Sequence, residues 1–162
     1  MEKETLLKVE NLVVHYETHN EVVEAVNNVS VEILSGQTLG LVGETGAGKT
    51  TIALAIMRLL PKTTGKVIQG SIHFDGKDIQ ALSTREMRAI RGHDISMIFQ
   101  DPMSSLNPVL PIDEQIAELI RLHRHVSRAE AAAQTREILK KVGIQPDRAG
   151  EYPHQFSGGM KQ

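Results

Sequence analysis

Residues 5–16 (TLLKVENLVVHY) and 22–34 (VVEAVNNVSVEIL) are rich in β-branched side chains in partial alternation with polar ones. That pattern predicts two strands, joined by a polar turn at Glu17-Thr18-His19-Asn20. Ser35-Gly36 reads as a turn, and Gln37–Val42 (QTLGLV) as a short buried strand. Thr51–Leu60 (TIALAIMRLL) is apolar nearly all round, which predicts a buried helix with Pro61 as its stop. Residues 67–74 (VIQGSIHF) predict another strand, followed by a turn at Asp75-Gly76. Ser83 with Glu86 forms a capping box opening a short helix through Arg91. Asp94–Phe99 (DISMIF) reads as a second buried strand of parallel type, and residues 100–108 as a loop. Ile112, Ile116, Leu119 and Ile120 fall at helical spacing within 112–124. Ser127 with Glu130 forms a second capping box, and Ala131, Thr135, Ile138, Leu139 and Val142 lie on one face of its helix. Gly143 supplies the stop. Strands thus precede residue 100 and helices cluster between 112 and 142: an α/β core with a mostly helical arm.

Composition narrows the class. A chain of 162 residues suits one domain with a sizeable core, and with 3% aromatics that core must be aliphatic. The absence of cysteine excludes disulfides and thiolate metal sites. The first residues are acidic and lack a signal-peptide pattern, and no apolar run approaches membrane-spanning length. A net charge of −2 argues against general nucleic-acid binding. Residues 121–141 hold six Lys or Arg against two acids, which reads as a solvated helical face. His123 and His125 have no third ligand placed near them by the sequence, so they do not make a metal site.

The chemistry concentrates in Gly43-Glu44-Thr45-Gly46-Ala47-Gly48-Lys49-Thr50, a full match to G-x-x-x-x-G-K-[ST] between an expected strand and an expected helix. The glycines let successive N–H groups converge on one point, and a helix starting near Gly48 adds its positive end. Lys49 brings a mobile cation for β- and γ-phosphates, and the Thr50 hydroxyl is a ligand for Mg²⁺. Thr51 continues the loop into the helix. Near the end of the chain, Ser157-Gly158-Gly159 offers a hydroxyl and exposed N–H groups, a second anion-binding nest.

With Gln155-Phe156-Ser157-Gly158-Gly159-Met160, this combination resembles the ABC ATPases, whose signature usually reads Leu-Ser-Gly-Gly-Gln. Gln100, directly after 94–99, matches that family's Q-loop glutamine, which reaches Mg²⁺ or the attacking water. Tyr16 stands where the family places an aromatic that stacks on adenine. Met97–Pro108 (MIFQDPMSSLNP) and Tyr152–Gln162 (YPHQFSGGMKQ) further resemble the ATPase subunits of oligopeptide and dipeptide importers, a branch shared with nickel and glutathione importers. Thr45, Ala47 and Thr50 replace the branch's common Ser, and Asp113 stands where Gly is expected. Met160 replaces the superfamily's Gln, as it often does in this branch.

The resemblance implies a P-loop ATPase fold with N-terminal antiparallel strands and a helical arm. It implies a partial nucleotide-binding domain over 1–162. Residues 1–100 would form the strand-rich P-loop core, and 101–162 the Q-loop, helical subdomain and signature. It implies ATP and Mg²⁺ as ligands, and a second ATPase subunit, identical or related, facing head to tail. Transmembrane permease subunits, and indirectly a peptide-binding protein, would complete the assembly at the cytoplasmic face of the cell membrane. The family's Walker B Asp and Glu and its switch His have no counterpart in residues 1–162. This stretch alone is therefore expected to be poorly soluble or partly unfolded, with at most weak nucleotide binding through the loop around Lys49 and no turnover. A P-loop phosphotransferase is the remote alternative, and leaves Gln100 and Ser157-Gly158-Gly159 unexplained.

Overall fold

The computed structural model describes residues 4–99 and 105–161. It divides into two compact units, Met1–Ile95 and Ser96–Gln162. No helix among the described residues is long and apolar enough to cross a membrane.

The first unit is built on an antiparallel sheet in the order β2-β1-β3-β4. Its strands are β1 (Thr5–Glu17), β2 (Val22–Leu34), β3 (Gly65–Phe74) and β4 (Lys77–Asp78). The first three fall where alternation placed them. The β1–β2 connection is the expected polar turn, closed by Thr18 N–H and its hydroxyl on the Glu21 carbonyl. Asp75 and Gly76 both adopt positive φ, which gives β3–β4 a two-residue hairpin turn of the hand that matches strand twist.

Leu7, Val9, Leu12 and Val14 of β1, Val26 of β2 and Ile72 of β3 form the inner face of the sheet. Ile52 and Ala55 of α1 (Lys49–Ile56) and Met87 and Ile90 of α2 (Thr84–Ile90) close over it, with Ile79 between. Burying a side chain of this size contributes roughly 1.5–3 kcal/mol, so this layer carries most of the unit's stability.

Two sequence expectations fail here. Helix α1 ends at Ile56 and not at Pro61. Arg58 adopts φ 50°, and the Leu59 and Arg58 N–H groups return to the Leu54 and Ala55 carbonyls at 2.8 and 3.0 Å. That is the Schellman closure, with Arg58 where glycine usually sits. Arg91 holds the turn from α2, donating to the Met57 and Arg58 carbonyls at 2.7 Å each. Arg58 in turn donates to the Ile79 and Leu82 carbonyls.

The expected buried strands at 37–42 and 94–99 also do not form. Residues 37–42 carry no strand pairing, and Val42 is 94% exposed. In the second segment only an isolated parallel bridge, Arg91↔Ile95, appears, and Ile98 is 78% exposed. Parallel strands exist only by pairing with neighbours that bury both faces. Among the described residues neither segment has such neighbours.

The second unit packs α3 (Ile112–Arg124) against α4 (Arg128–Lys141). Two 3-10 turns follow, Pro146–Gly150 and Pro153–Gln155, and then the short α5 (Gly158–Lys161). Its core gathers Ile112, Leu139, Ile144, Ala149 and Phe156. Both capping boxes are present as read. Hydrogen bonds from Ser83 and Ser127 hold the Glu86 and Glu130 carboxyls below the usual carboxylate range. Helix α4 ends in a second Schellman closure: Gly143 has φ 80°, and Ile144 donates to Leu139 at 2.9 Å. The buried stripe of α4 is narrower than expected. Ala131, Thr135 and Leu139, spaced by four, are buried, while Ile138 and Val142 are exposed. The Thr135 hydroxyl is satisfied by the Ala131 carbonyl at 2.9 Å.

Candidate functional site

The glycine loop lies in the first unit, at the head of α1. Gly43 to Ala47 are exposed, Gly48 and Thr51 are buried, Lys49 is half-buried and Thr50 is exposed. The loop turns on itself through Ala47 N–H to the Glu44 carbonyl at 3.2 Å. Lys49 Nζ donates to the Gly43 carbonyl at 2.7 Å and the Glu44 carbonyl at 2.6 Å. One ammonium therefore holds the entrance of the loop to its exit. An ammonium has three donors, and these bonds use two of them.

Helix α1 begins without a side-chain cap and without an acid in its first turn. The leading N–H groups of a helix have no intrahelical partner, and together with the helix dipole they favour an anion. Gly48 is the residue that permits this geometry. It has φ 79°, and a Cβ built on it would lie 2.2 Å from the Ala25 carbonyl oxygen on β2. Strand β2 therefore backs directly onto the loop, with no room for a side chain between them. The Thr50 hydroxyl is a hard oxygen donor of the kind Mg²⁺ accepts. Main-chain N–H groups, one ammonium and one hydroxyl make a donor set that fits a magnesium-bound polyphosphate.

Tyr16 sits near the end of β1, half-buried, with its hydroxyl 3.4 Å from Thr51 Oγ1. Its ring runs close to Gly65, where an added Cβ would come within 3.2 Å of Tyr16 Cε1. The structure thus brings Tyr16 to the first turn of α1. If its ring stacks on a base, Tyr16→Ala should weaken ATP binding by about 1–3 kcal/mol while Tyr16→Trp binds normally. Titration with a fluorescent ATP analogue checks this, and equal affinities for the two variants would make Tyr16 a packing residue only. Gln100, the expected Q-loop glutamine, lies outside the described residues.

Ser157, Gly158 and Gly159 are in the second unit and all three are exposed. Ser157 opens α5: its Oγ accepts from Met160 N–H at 3.4 Å and its carbonyl from Lys161 N–H at 3.1 Å. Phe156 before them is buried. The sequence reading did not single out Arg148 and Glu151, which brace this segment. Arg148 Nε lies 3.0 Å from both Glu151 oxygens, and Nη2 lies 2.6 Å from Oε2. This pairing raises the Arg148 pKa and lowers that of Glu151. The spacing of three was the available signal, but on its own it marks only a surface ion pair.

Comparison with known proteins agrees with this arrangement. The family model described as ABC transporter matches residues 26–162. The chain is 47% identical over 159 residues to a probable peptide ABC transporter ATP-binding protein of Sinorhizobium fredii, covering 97% of this chain and 48% of the relative. It is 47% identical over 162 residues to the dipeptide transport ATP-binding protein DppD of Bacillus subtilis, covering 98% and 48%. The chain therefore spans about half the length of the curated relatives it matches. A dimeric ATP-binding cassette solved in a post-hydrolysis state with ADP and Pi superposes with a TM-score of 0.80 at 25% identity, covering 96% of this chain and 65% of that one. With its glycine loop, its antiparallel sheet and a family match over most of its length, this chain belongs to the ABC transporter family.

Proposed function

We propose that this chain is the ATP-binding part of a peptide importer, which couples ATP binding and hydrolysis to import of di- or oligopeptides across the cell membrane. The observation that carries the reading is the loop. Lys49 bridges it, at the head of an uncapped helix, in a chain nearly half identical to the dipeptide transport protein of Bacillus subtilis.

In this reading Gly43–Thr51 bind the polyphosphate, Tyr16 stacks on the adenine, and Thr50 with Gln100 holds Mg²⁺. When bound, MgATP supplies the transferable γ-phosphoryl group and the metal's charge. Transfer to water needs positioning and charge neutralisation more than covalent help. Lys49 neutralises the β/γ-phosphates, and the N–H groups at the head of α1 fix their orientation. Gln100 orients the attacking water. Ser157, Gly158 and Gly159 approach the nucleotide held by the loop of a second ATPase subunit, so nucleotide joins the two subunits and hydrolysis releases them. Residues 1–100 serve as the core and 101–162 as the Q-loop, helical subdomain and signature, which passes the motion to permease subunits. The protein works at the cytoplasmic face of the membrane, and a peptide-binding protein is an indirect partner beyond the permease subunits.

The test is uptake by cells from which the encoding gene has been deleted. Import of labelled dipeptide or oligopeptide should be lost, restored by the wild-type gene and not by Lys49→Ala. Loss confined to nickel or glutathione uptake would overturn the peptide assignment. Unchanged uptake of all four would overturn the importer assignment.

A further inference from the structure

The backbone of Ser157-Gly158-Gly159 has little support of its own. All three residues are exposed, and a Cβ built on either glycine would meet nothing within 4 Å. Helix α5 is four residues long. The pose of these residues is therefore set by what holds the chain immediately before and after them, and one side chain touches both ends.

Arg148 Nη2 donates to the Gln155 carbonyl at 3.1 Å. The guanidinium carbon lies 4.7 Å from the centroid of the Phe156 ring. Nη1 approaches Met160 Sδ at 3.7 Å. Gln155 and Phe156 precede the segment and Met160 follows it, so one guanidinium spans it. Glu151 fixes that guanidinium through its bidentate pairing. Glu151 is itself anchored, since its carbonyl accepts the N–H of Ile112, the first residue of α3, at 3.0 Å. The chain of contacts runs from α3 through Glu151 and Arg148 to both flanks of the exposed segment.

We propose that Arg148 is a positioning residue that sets the pose of Ser157-Gly158-Gly159, with Glu151 as its brace. The proposal rests on the reading of those three residues as the part that meets nucleotide on a second subunit. Only arginine performs the task. Its planar fork meets a carboxylate with two donors while its guanidinium carbon sits over a phenyl ring, and lysine offers a point charge without the fork.

A residue that only stabilised the fold would lower melting temperature and loosen the whole unit. A positioning residue lowers turnover and leaves the phosphate loop's own affinity alone. The experiment uses the full-length ATPase carrying wild-type residues, Arg148→Lys, Arg148→Ala or Glu151→Gln. It reads MgATP affinity of the lone subunit, turnover at saturating ATP, and hydrogen exchange by peptide. Arg148→Lys and Arg148→Ala should each lower turnover about tenfold or more, as for misplacement of a group at a reacting centre. Affinity should stay within about twofold, and exchange should rise over residues 155–161 alone. Glu151→Gln should move turnover and exchange in the same direction by less, and it serves where Arg148→Ala does not fold. Wild-type turnover in Arg148→Lys overturns the proposal, as does exchange rising equally through α3 and α4. Gly158→Val separates the two claims. If it leaves turnover unchanged, the reading of the segment itself fails. If it abolishes turnover while both Arg148 variants match wild type, only the role of Arg148 fails.

Discussion

Lys49→Ala is expected to abolish measurable ATP hydrolysis by the full-length protein. The wild-type ammonium already makes charge-assisted bonds to the Gly43 and Glu44 carbonyls. The substitution therefore removes two things together, the cation proposed for the β/γ-phosphates and the tether across the loop. Each hydrogen bond to a charged group contributes about 1.5–3 kcal/mol. Loss of charge stabilisation where charge develops costs about 10²–10³ in turnover. ATP affinity should fall about 10–100-fold and turnover by a further two orders of magnitude. Lys49→Arg should not restore activity, because a planar fork cannot follow a point charge into a nest of two carbonyls. Steady-state phosphate release and hydrogen exchange over residues 43–48 measure the two effects separately. Wild-type turnover in Lys49→Ala would remove the loop from the chemistry. Unchanged exchange over 43–48 would show that the tether contributes nothing to loop closure.

What was legible in the sequence is what local chemistry decides. Strands β1, β2 and β3 follow from alternation, and α2 and α4 from Ser-x-x-Glu boxes whose two hydrogen bonds are made within four residues. The end of α4 follows from one glycine at φ 80°. The glycine loop is legible for the same reason, since its donors come from one contiguous segment. Expectations failed where a distant partner decides. Pro61 looks like the stop for α1, but Arg91, far along the chain, reaches back to the Met57 and Arg58 carbonyls and fixes an earlier end. The runs at 37–42 and 94–99 have strand composition. Composition does not provide a neighbouring strand, and without one the apolar residues Val42 and Ile98 stay exposed. Arg148 carries no signal in the sequence beyond its spacing of three from Glu151, and that spacing does not reveal what else the guanidinium touches.

Gly48→Ala is expected to destabilise the first unit by about 3 kcal/mol or more and to eliminate nucleotide binding. Two costs combine. An L-residue at φ 79° is strained by about 1–2 kcal/mol. The larger cost is steric, because the new methyl would sit 2.2 Å from the Ala25 carbonyl oxygen. That atom is backbone of β2, and its neighbours Glu24 and Val26 are paired with His15 and Val14 of β1, so it cannot rotate away as a side-chain tip would. Relief requires α1 to move off the sheet, which uncovers Ile52 and Ala55 and displaces the N–H groups at the helix head. Gly46 is the internal control. It also has positive φ, at 88°, but a Cβ there meets nothing within 4 Å. Gly46→Ala should therefore show the backbone cost alone, about 1–2 kcal/mol, and retain a folded unit. Thermal or urea unfolding of the two variants, read with ATP-analogue binding, tests the difference. Equal destabilisation would mean that β2 does not back onto the loop at Ala25. The tight seating of α1 on the sheet would then no longer account for the need for glycine at position 48.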